Sequence, residues 1–232
     1  MTAIKVNRVT TPELARELVK QGVRIIGVPM VIDPRFVEPW RVDAATARAI
    51  VDAAGAAVVV AHIDASVDPD TIRSELDEAG IREVELAAQP TPPAALLQAL
   101  RDDNLRIGFC RLVAALDDDP DWILGPVADH DPASIERVEL ELSPAQADGW
   151  AALRDADPDD ELGLGDIDVL AGGRTLFVSF GAGSANAADL AAHLPNVAGV
   201  SFHLGTVNRA HATAHAVDAR TLTSAVARLR RR

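Results

Sequence analysis

The chain has a single cysteine, no apolar stretch long enough to cross a bilayer, and far fewer basic than acidic side chains. Each shortage excludes something. Cys110 has no partner for an internal disulfide and leaves no cysteine cluster for zinc, the usage expected of a reducing compartment. A membrane helix needs roughly 18 consecutive apolar residues, and no run approaches that. Lys plus Arg number 22 against 35 Asp plus Glu, a net charge of −13; a surface of that sign repels nucleic acid and anionic lipid. The opening MTAIKVNRVT lacks the apolar core and cleavage site of a signal peptide. It reads as the start of a strand, and the expected location is cytoplasmic. A small anionic substrate is compatible with the overall charge, because a helix N-terminus offers backbone N–H groups whatever the net charge.

What is present points to one soluble globular domain, residues 1–232. The 48% apolar and 25% charged composition is ordinary for that class. One pattern recurs without identity of letters: an Ala/Leu-rich helical stretch ends at Gly or Asn, and a short β-branched run follows. LVKQGVRIIGV, VDAAGAAVVVAHI, LDEAGIREVEL, LRDDNLRIGF and HLPNVAGVSF all show it. Gly22, Gly55, Gly80, Asn104 and Asn196 fall where a helix C-terminus takes a left-handed residue. Eight strands are predicted, at about 3–9, 24–28, 57–63, 82–87, 105–111, 136–142, 175–180 and 197–203. Thr10, Thr11, Pro12 and Glu13 supply cap and first turn for the first helix. Strands alternating with helices imply a parallel sheet, and eight repeats favour a closed (β/α)8 TIM barrel over an open doubly wound sheet. The pattern is least regular over 112–135, where DDDPDW and DHDP replace an amphipathic helix, and over 155–174.

Active groups of such a barrel come from the C-terminal ends of its strands. Period-two alternation pairs Lys5 with Asn7, His62 with Asp64, Glu83 with Glu85, Glu139 with Glu141 and Ser201 with His203. Charged residues on otherwise apolar parallel strands are costly to bury, so each is expected in a wet cavity, in a pair, or at a strand end facing the surface. Two glycine-bearing loops follow the last strands: FGAGSANAADL, with Gly181, Gly183 and Ser184, and SFHLGTVN, with Gly205 and Thr206. Barrels often hold phosphate between these two loops. Ordinary βα turns that contain glycine are the plain alternative.

In the order and spacing of these elements the sequence resembles phosphoribosylanthranilate isomerase. KVNRVTTPELARELVKQGVRIIG is similar to that family's first strand, helix and glycine-bearing second strand; VAHIDASVDPDTI to its third; and GLGDIDVL echoes its glycine-rich loop, with Asp168 as the matching acid. The resemblance implies a barrel that binds a sugar phosphate, without a cofactor, as monomer or homodimer. The family's cysteine base is matched by Asn7, whose amide has no basic lone pair near neutrality. Its aspartic acid is matched by Glu141, the glycine after the cysteine by Arg8, and the histidine-glycine after strand four by Ala87 and Ala88. Arg35 or Arg41, in the longer loop VPMVIDPRFVEPWRV, stands where a substrate-binding arginine is expected.

Three readings follow. The first is an altered acid–base enzyme on a phosphorylated, sugar-like anion, with Glu141 moving the proton, Asp64 or His62 as its partner, Asn7 as hydrogen-bond donor and His203 at the same end. The second is a noncatalytic ligand-binding or partner-stabilising homologue. The third is a metal-dependent epimerase or lyase, with His62, Asp64, Glu85, Glu141 and His203 as candidate ligands. The expected site holds no metal. His211 and His215 lack the intervening glutamate of a metalloprotease motif and read as a solvated loop.

Overall fold

A computed structural model gives the fold and describes residues 3–30, 41–63, 68–115, 118–123, 125–128, 130–142, 153–154, 162–179, 192–205, 216–217 and 219–229. Strands and helices alternate: β1 (Ala3–Asn7), α1 (Pro12–Lys20), β2 (Ile25–Pro29), α2 (Ala44–Ala54), β3 (Val58–Ile63), α3 (Pro69–Ala79), β4 (Glu83–Ala87), α4 (Ala94–Asp102) and β5 (Arg106–Ala114). Two single-turn helices follow, α5 (Pro120–Ile123) and α6 (Gly125–Ala128), then β6 (Val138–Leu142), α7 (Leu164–Gly172), β7 (Leu176–Ser179), β8 (Gly199–Leu204), β9 (Ala216–Val217) and α8 (Ala219–Leu229). All neighbours pair in parallel, and β1 pairs with both β2 and β8, so the sheet closes into an eight-stranded barrel. The (β/α)8 fold is thereby established.

Local chemistry explains the joints. Thr11 caps α1 by accepting from the Leu14 amide at 3.3 Å, with Pro12 in the first turn, where its missing N–H costs nothing. Asp43 and Asp68 cap α2 and α3 in the same way, accepting from the amides of Thr46 and Thr71. Gly80 ends α3 at φ 71° and Asn104 follows α4 at φ 59°. Asn196 differs from expectation. Among the described residues it is not one of those with positive φ, because its side chain is used to tie the chain to Asp168 instead.

Two departures concern the strands. β5 continues to Ala114, past the expected end, through a register shift between Phe109 and Leu112, with Arg111 at φ 56°. A bulge of this kind inserts a residue and re-aims the strand. The short β9 pairs with the end of β8, His203 opposite Ala216, a length too small to leave a periodic signal.

Alternation then divides each strand into two faces. Ile4, Val6, Ile26, Val28, Ala61, Val84, Leu86, Phe109, Leu140, Val178, Val200 and Phe202 join the buried apolar cluster that includes Leu18, Ala47, Ile72 and Leu97 of the helices. Ile25, Val60 and Phe177 form a separate small cluster, and Gly199 admits the Phe177 ring, since a Cβ there would lie 2.3 Å from it. The alternate positions include Lys5, Asn7, Glu85, Glu139, Glu141, Ser201 and His203, all buried, with Asn7, Glu141 and His203 nearest the strand C-termini.

Candidate functional site

Apart from Ser201, whose Oγ is buried without a hydrogen-bond partner among the described residues, these polar residues are paired with one another. Lys5, fully buried, donates to Glu85 at 2.5 Å and also to Glu139. Removing an ammonium from water is expensive, and two carboxylates within hydrogen-bond distance compensate it. Burial alone would lower the Lys5 pKa; the charge of Glu139, then that of Glu85, outweighs it and holds the group above its usual value. Burial would raise Glu85, but Lys5 and then His62 bring it down to about 2. Against the same burial penalty, Lys5 and His203 keep Glu139 well below the ordinary carboxylate range.

A second set of ions lies on the other side of Glu85. Arg137 donates to Glu83 and approaches Glu85 at 3.5 Å, and the half-exposed Arg106 also reaches Glu83. Gly108 makes room for this group, because a Cβ there would sit 3.1 Å from the side chains of Arg137 and Glu85.

Two histidines extend the network. His203 Nε2 lies 2.7 Å from Glu139 Oε1 and 3.5 Å from Glu141 Oε1. Burial would lower His203, yet the charges of Glu139 and Glu141 raise it. His62 Nε2 lies 3.1 Å from Glu85 Oε2, within ion-pair range though off the line of a hydrogen bond. For His62 burial wins, and the pKa falls in spite of Glu85. The two imidazoles are thus pushed in opposite directions. The His62 side chain is also the more open, 18% exposed against 8% for His203.

Asn7 stands between them. Its Nδ2 donates to both oxygens of Glu139, at 2.9 and 3.0 Å, and lies 3.5 Å from His203 Nε2. Its Oδ1 is buried without a hydrogen-bond partner. Gly27 on β2 is what lets Asn7 and His62 approach: a Cβ at this position would meet Asn7 Oδ1 at 2.5 Å and the His62 ring at 2.6 Å.

The structure therefore brings together Asn7, His62, Glu141 and His203. Asp64, Arg35, Gly181, Gly183, Ser184 and Thr206 lie outside the described residues; Gly205 follows β8 directly and is half-buried. Arg41 donates to the Met30 carbonyl at 3.4 Å, at the end of β2. Asp168 sits on α7 and accepts from the backbone and side-chain amides of Asn196 at 3.0 and 2.8 Å, fastening the turn that enters β8 at the N-terminal end of that strand.

Lys5, Glu85, Glu139 and Arg137 belong to the constellation although they stood outside the predicted acid–base site, Glu85 being named only under the metal reading. For all four the signal was available, as charges at alternate positions of apolar strands; Arg137, one residue before β6, falls within the expected strand 136–142 and alternates with Glu139 and Glu141. Cys110 borders the group as well; burial, then Glu85, pushes its thiol pKa up, away from nucleophilic use.

A closed barrel carrying an acid–base constellation toward one end is the class that fold and geometry define. Comparison with solved structures narrows the fold further. The chain is similar to phosphoribosylanthranilate isomerase from Thermotoga maritima, 13% identical with all of both chains covered and a TM-score of 0.68. It is also similar to the isomerase from Thermus thermophilus, 18% identical over 99% of each chain with a TM-score of 0.65. A third isomerase structure, 14% identical over the whole of both chains with a TM-score of 0.66, was solved in complex with reduced 1-(o-carboxyphenylamino)-1-deoxyribulose 5-phosphate. No protein-family model matches the sequence, and no curated protein does. No helix among the described residues is long and apolar enough to cross a membrane.

Proposed function

We propose that this protein is a divergent relative of the phosphoribosylanthranilate isomerases that carries out acid–base chemistry on a small phosphorylated, sugar-like anion, with the base moved from β1 to β3. The observation that carries the reading is the pair of histidine–carboxylate contacts, His62 with Glu85 and His203 with Glu139, on either side of Asn7. Histidines whose environments push their pKa values apart are suited to opposite roles in one proton transfer. His62, held down by burial and the more exposed of the two, is the base; the Glu85 carboxylate, 3.1 Å from its Nε2, stabilises the imidazolium that forms when it takes a proton. The corner formed by His203, Glu139 and Glu141 stabilises charge on the substrate oxygen. Asn7 offers Oδ1 as an acceptor for a substrate hydroxyl.

The phosphate is assigned to Gly181, Gly183, Ser184, Gly205 and Thr206, where glycine leaves backbone N–H groups open to an anion. The phosphorylated ligand of the third isomerase supports this choice of substrate class. Ordinary phosphoribosylanthranilate isomerisation is expected to be absent or very slow, because the amide of Asn7 cannot act as base.

The test is direct assay of the purified protein with phosphoribosylanthranilate, ribose 5-phosphate and ribulose 5-phosphate, beside complementation of a strain lacking the isomerase. We expect no complementation, conversion of a sugar phosphate that falls about 10²–10⁴-fold in His62→Asn, and measurable phosphoribosylanthranilate turnover in Asn7→Cys. Robust complementation by the unaltered protein, or a His62→Asn variant as active as its parent, overturns the reading.

A further inference from the structure

We infer that the corner between β6 and β8 binds one divalent cation, with Glu139, Glu141 and His203 as ligands and the Asn7 amide oxygen beside them. This deepens the reading above by naming what stabilises the substrate oxygen, and it rests on that reading only for its purpose.

The geometry comes first. One donor atom from each of Glu139, Glu141 and His203 lies within 4.8 Å of the other two, and all three residues are buried. His203 Nε2 is 2.7 Å from Glu139 Oε1 and 3.5 Å from Glu141 Oε1. A cation with bonds of roughly 2.0–2.2 Å to nitrogen and oxygen needs its ligands at about such separations. The two glutamates are alternate residues of one strand, so their side chains leave the same face, and the histidine meets them from β8, two strands away.

An orphaned polar atom points the same way: Glu141 Oε1 is buried without a hydrogen-bond partner. A proton on His203 serves Glu139 at 2.7 Å but leaves Glu141 at 3.5 Å, beyond a good hydrogen bond. A cation between them engages both carboxylates. Asn7 already places its amide in the corner, Nδ2 being 2.9 Å from Glu139 Oε1 and 3.5 Å from His203 Nε2. When the ion takes over the Glu139 oxygens that Nδ2 now serves, a half-turn of that amide brings Oδ1 to the ion and leaves Nδ2, in place of Oδ1, to meet the substrate. Lys5 does not compete, because it holds the other oxygen of Glu139, Oε2.

The donor set of two carboxylates, one imidazole and one amide oxygen suits Mn²⁺ or Zn²⁺ and is too hard for Cu⁺. Bound there, the ion is a Lewis acid for a substrate oxygen. Because the imidazole must be unprotonated to bind, uptake of the metal releases protons.

The experiment uses the full chain, stripped with chelator and titrated with MnCl₂ and ZnCl₂ in the absence of any sugar phosphate. Calorimetry should show one ion per chain. Affinity should fall at least tenfold in Glu141→Gln and in His203→Asn, and stay unchanged in His193→Asn, an exposed control on another part of the surface. Mn²⁺ added to the unaltered protein should broaden the imidazole NMR signals of His203 and leave those of His193 sharp, which locates the ion even if a variant fails to fold. Absence of binding at millimolar metal, unchanged affinity in a folded Glu141→Gln, or broadening away from His203 overturns the proposal. Since substrate is absent, a failed metal titration leaves the acid–base reading standing, and a failed activity screen leaves the metal site standing.

Discussion

β4 and β6 carry almost the same four letters, EVEL at 83–86 and ELEL at 139–142, yet the two strands put their glutamates to different uses. On β4, Glu83 meets Arg137 and Arg106, and Glu85 meets Lys5, Arg137 and His62. On β6, Glu139 shares Lys5 with Glu85 and holds Asn7 and His203, whereas Glu141 has only His203 at 3.5 Å among the described residues. The same pattern thus produces a neutralised ion cluster on one strand and an under-paired acid on the other. Position along the barrel makes the difference. Arg106 and Arg137 stand at the starts of β5 and β6 and reach the acids of β4, while Glu141 lies near the C-terminal end, beyond the reach of either. A buried charge with all its partners is structural; one left short of partners is available for a proton, a ligand or a cation.

The comparison breaks most visibly at Lys5, the cation common to both strands. Lys5→Met leaves Glu85 and Glu139 buried around a methyl group, and loss of one partner of a buried ion pair typically costs about 3–5 kcal/mol. Urea unfolding monitored by circular dichroism should show a loss of this size; a loss below about 1 kcal/mol refutes the view that Lys5 holds the interior together.

A finer contrast sets the two acids side by side. Glu85→Gln removes the counter-charge of Lys5 and Arg137 and should cost about 3 kcal/mol, whereas Glu141→Gln should change stability by no more than about 1 kcal/mol. Equal losses in the two variants erase the distinction between the strands.

The smallest expected effect is on acid stability. Glu85 faces Lys5 from β1, His62 from β3, Cys110 from β5 and Arg137 and Glu139 from the β6 side, and it titrates near 2 in the folded chain. A carboxylate whose folded pKa is depressed contributes stability that is complete above its unfolded value and lost as pH falls through the folded one. Unfolding free energy should therefore decline from about pH 4.5 toward pH 2, and the decline should be shallower in Glu85→Gln. A slope unchanged by the substitution shows that other carboxylates dominate acid unfolding.

Much of this was legible in the sequence. The eight strands fall within a few residues of the expected positions, and five of them, β2, β3, β4, β5 and β8, are announced by a helix-ending Gly or Asn before a β-branched run. Lys5, Asn7, His62, Glu139, Glu141 and His203 could be placed on shared faces by alternation alone. The end of β5 could not, since a bulge at Arg111 breaks the period that would reveal it. The partner of Asp168 could not be read either, since a Gly-rich approach to an acid looks alike whatever the acid meets, and only the fold brings it to the amides of Asn196.

Local physics is therefore what the chain of letters settled: turn chemistry, strand period and charge at alternate positions are properties of near neighbours, and they suffice for a parallel barrel. Which charges meet was decided only by closure. Lys5 reaches Glu85 and Glu139 across 80 and 134 residues, and Gly27 matters solely because Asn7 and His62 converge on the space beside it. No local rule contains those separations. Parallel register around a closed ring sets them, and with them it sets which acid is left short of a partner.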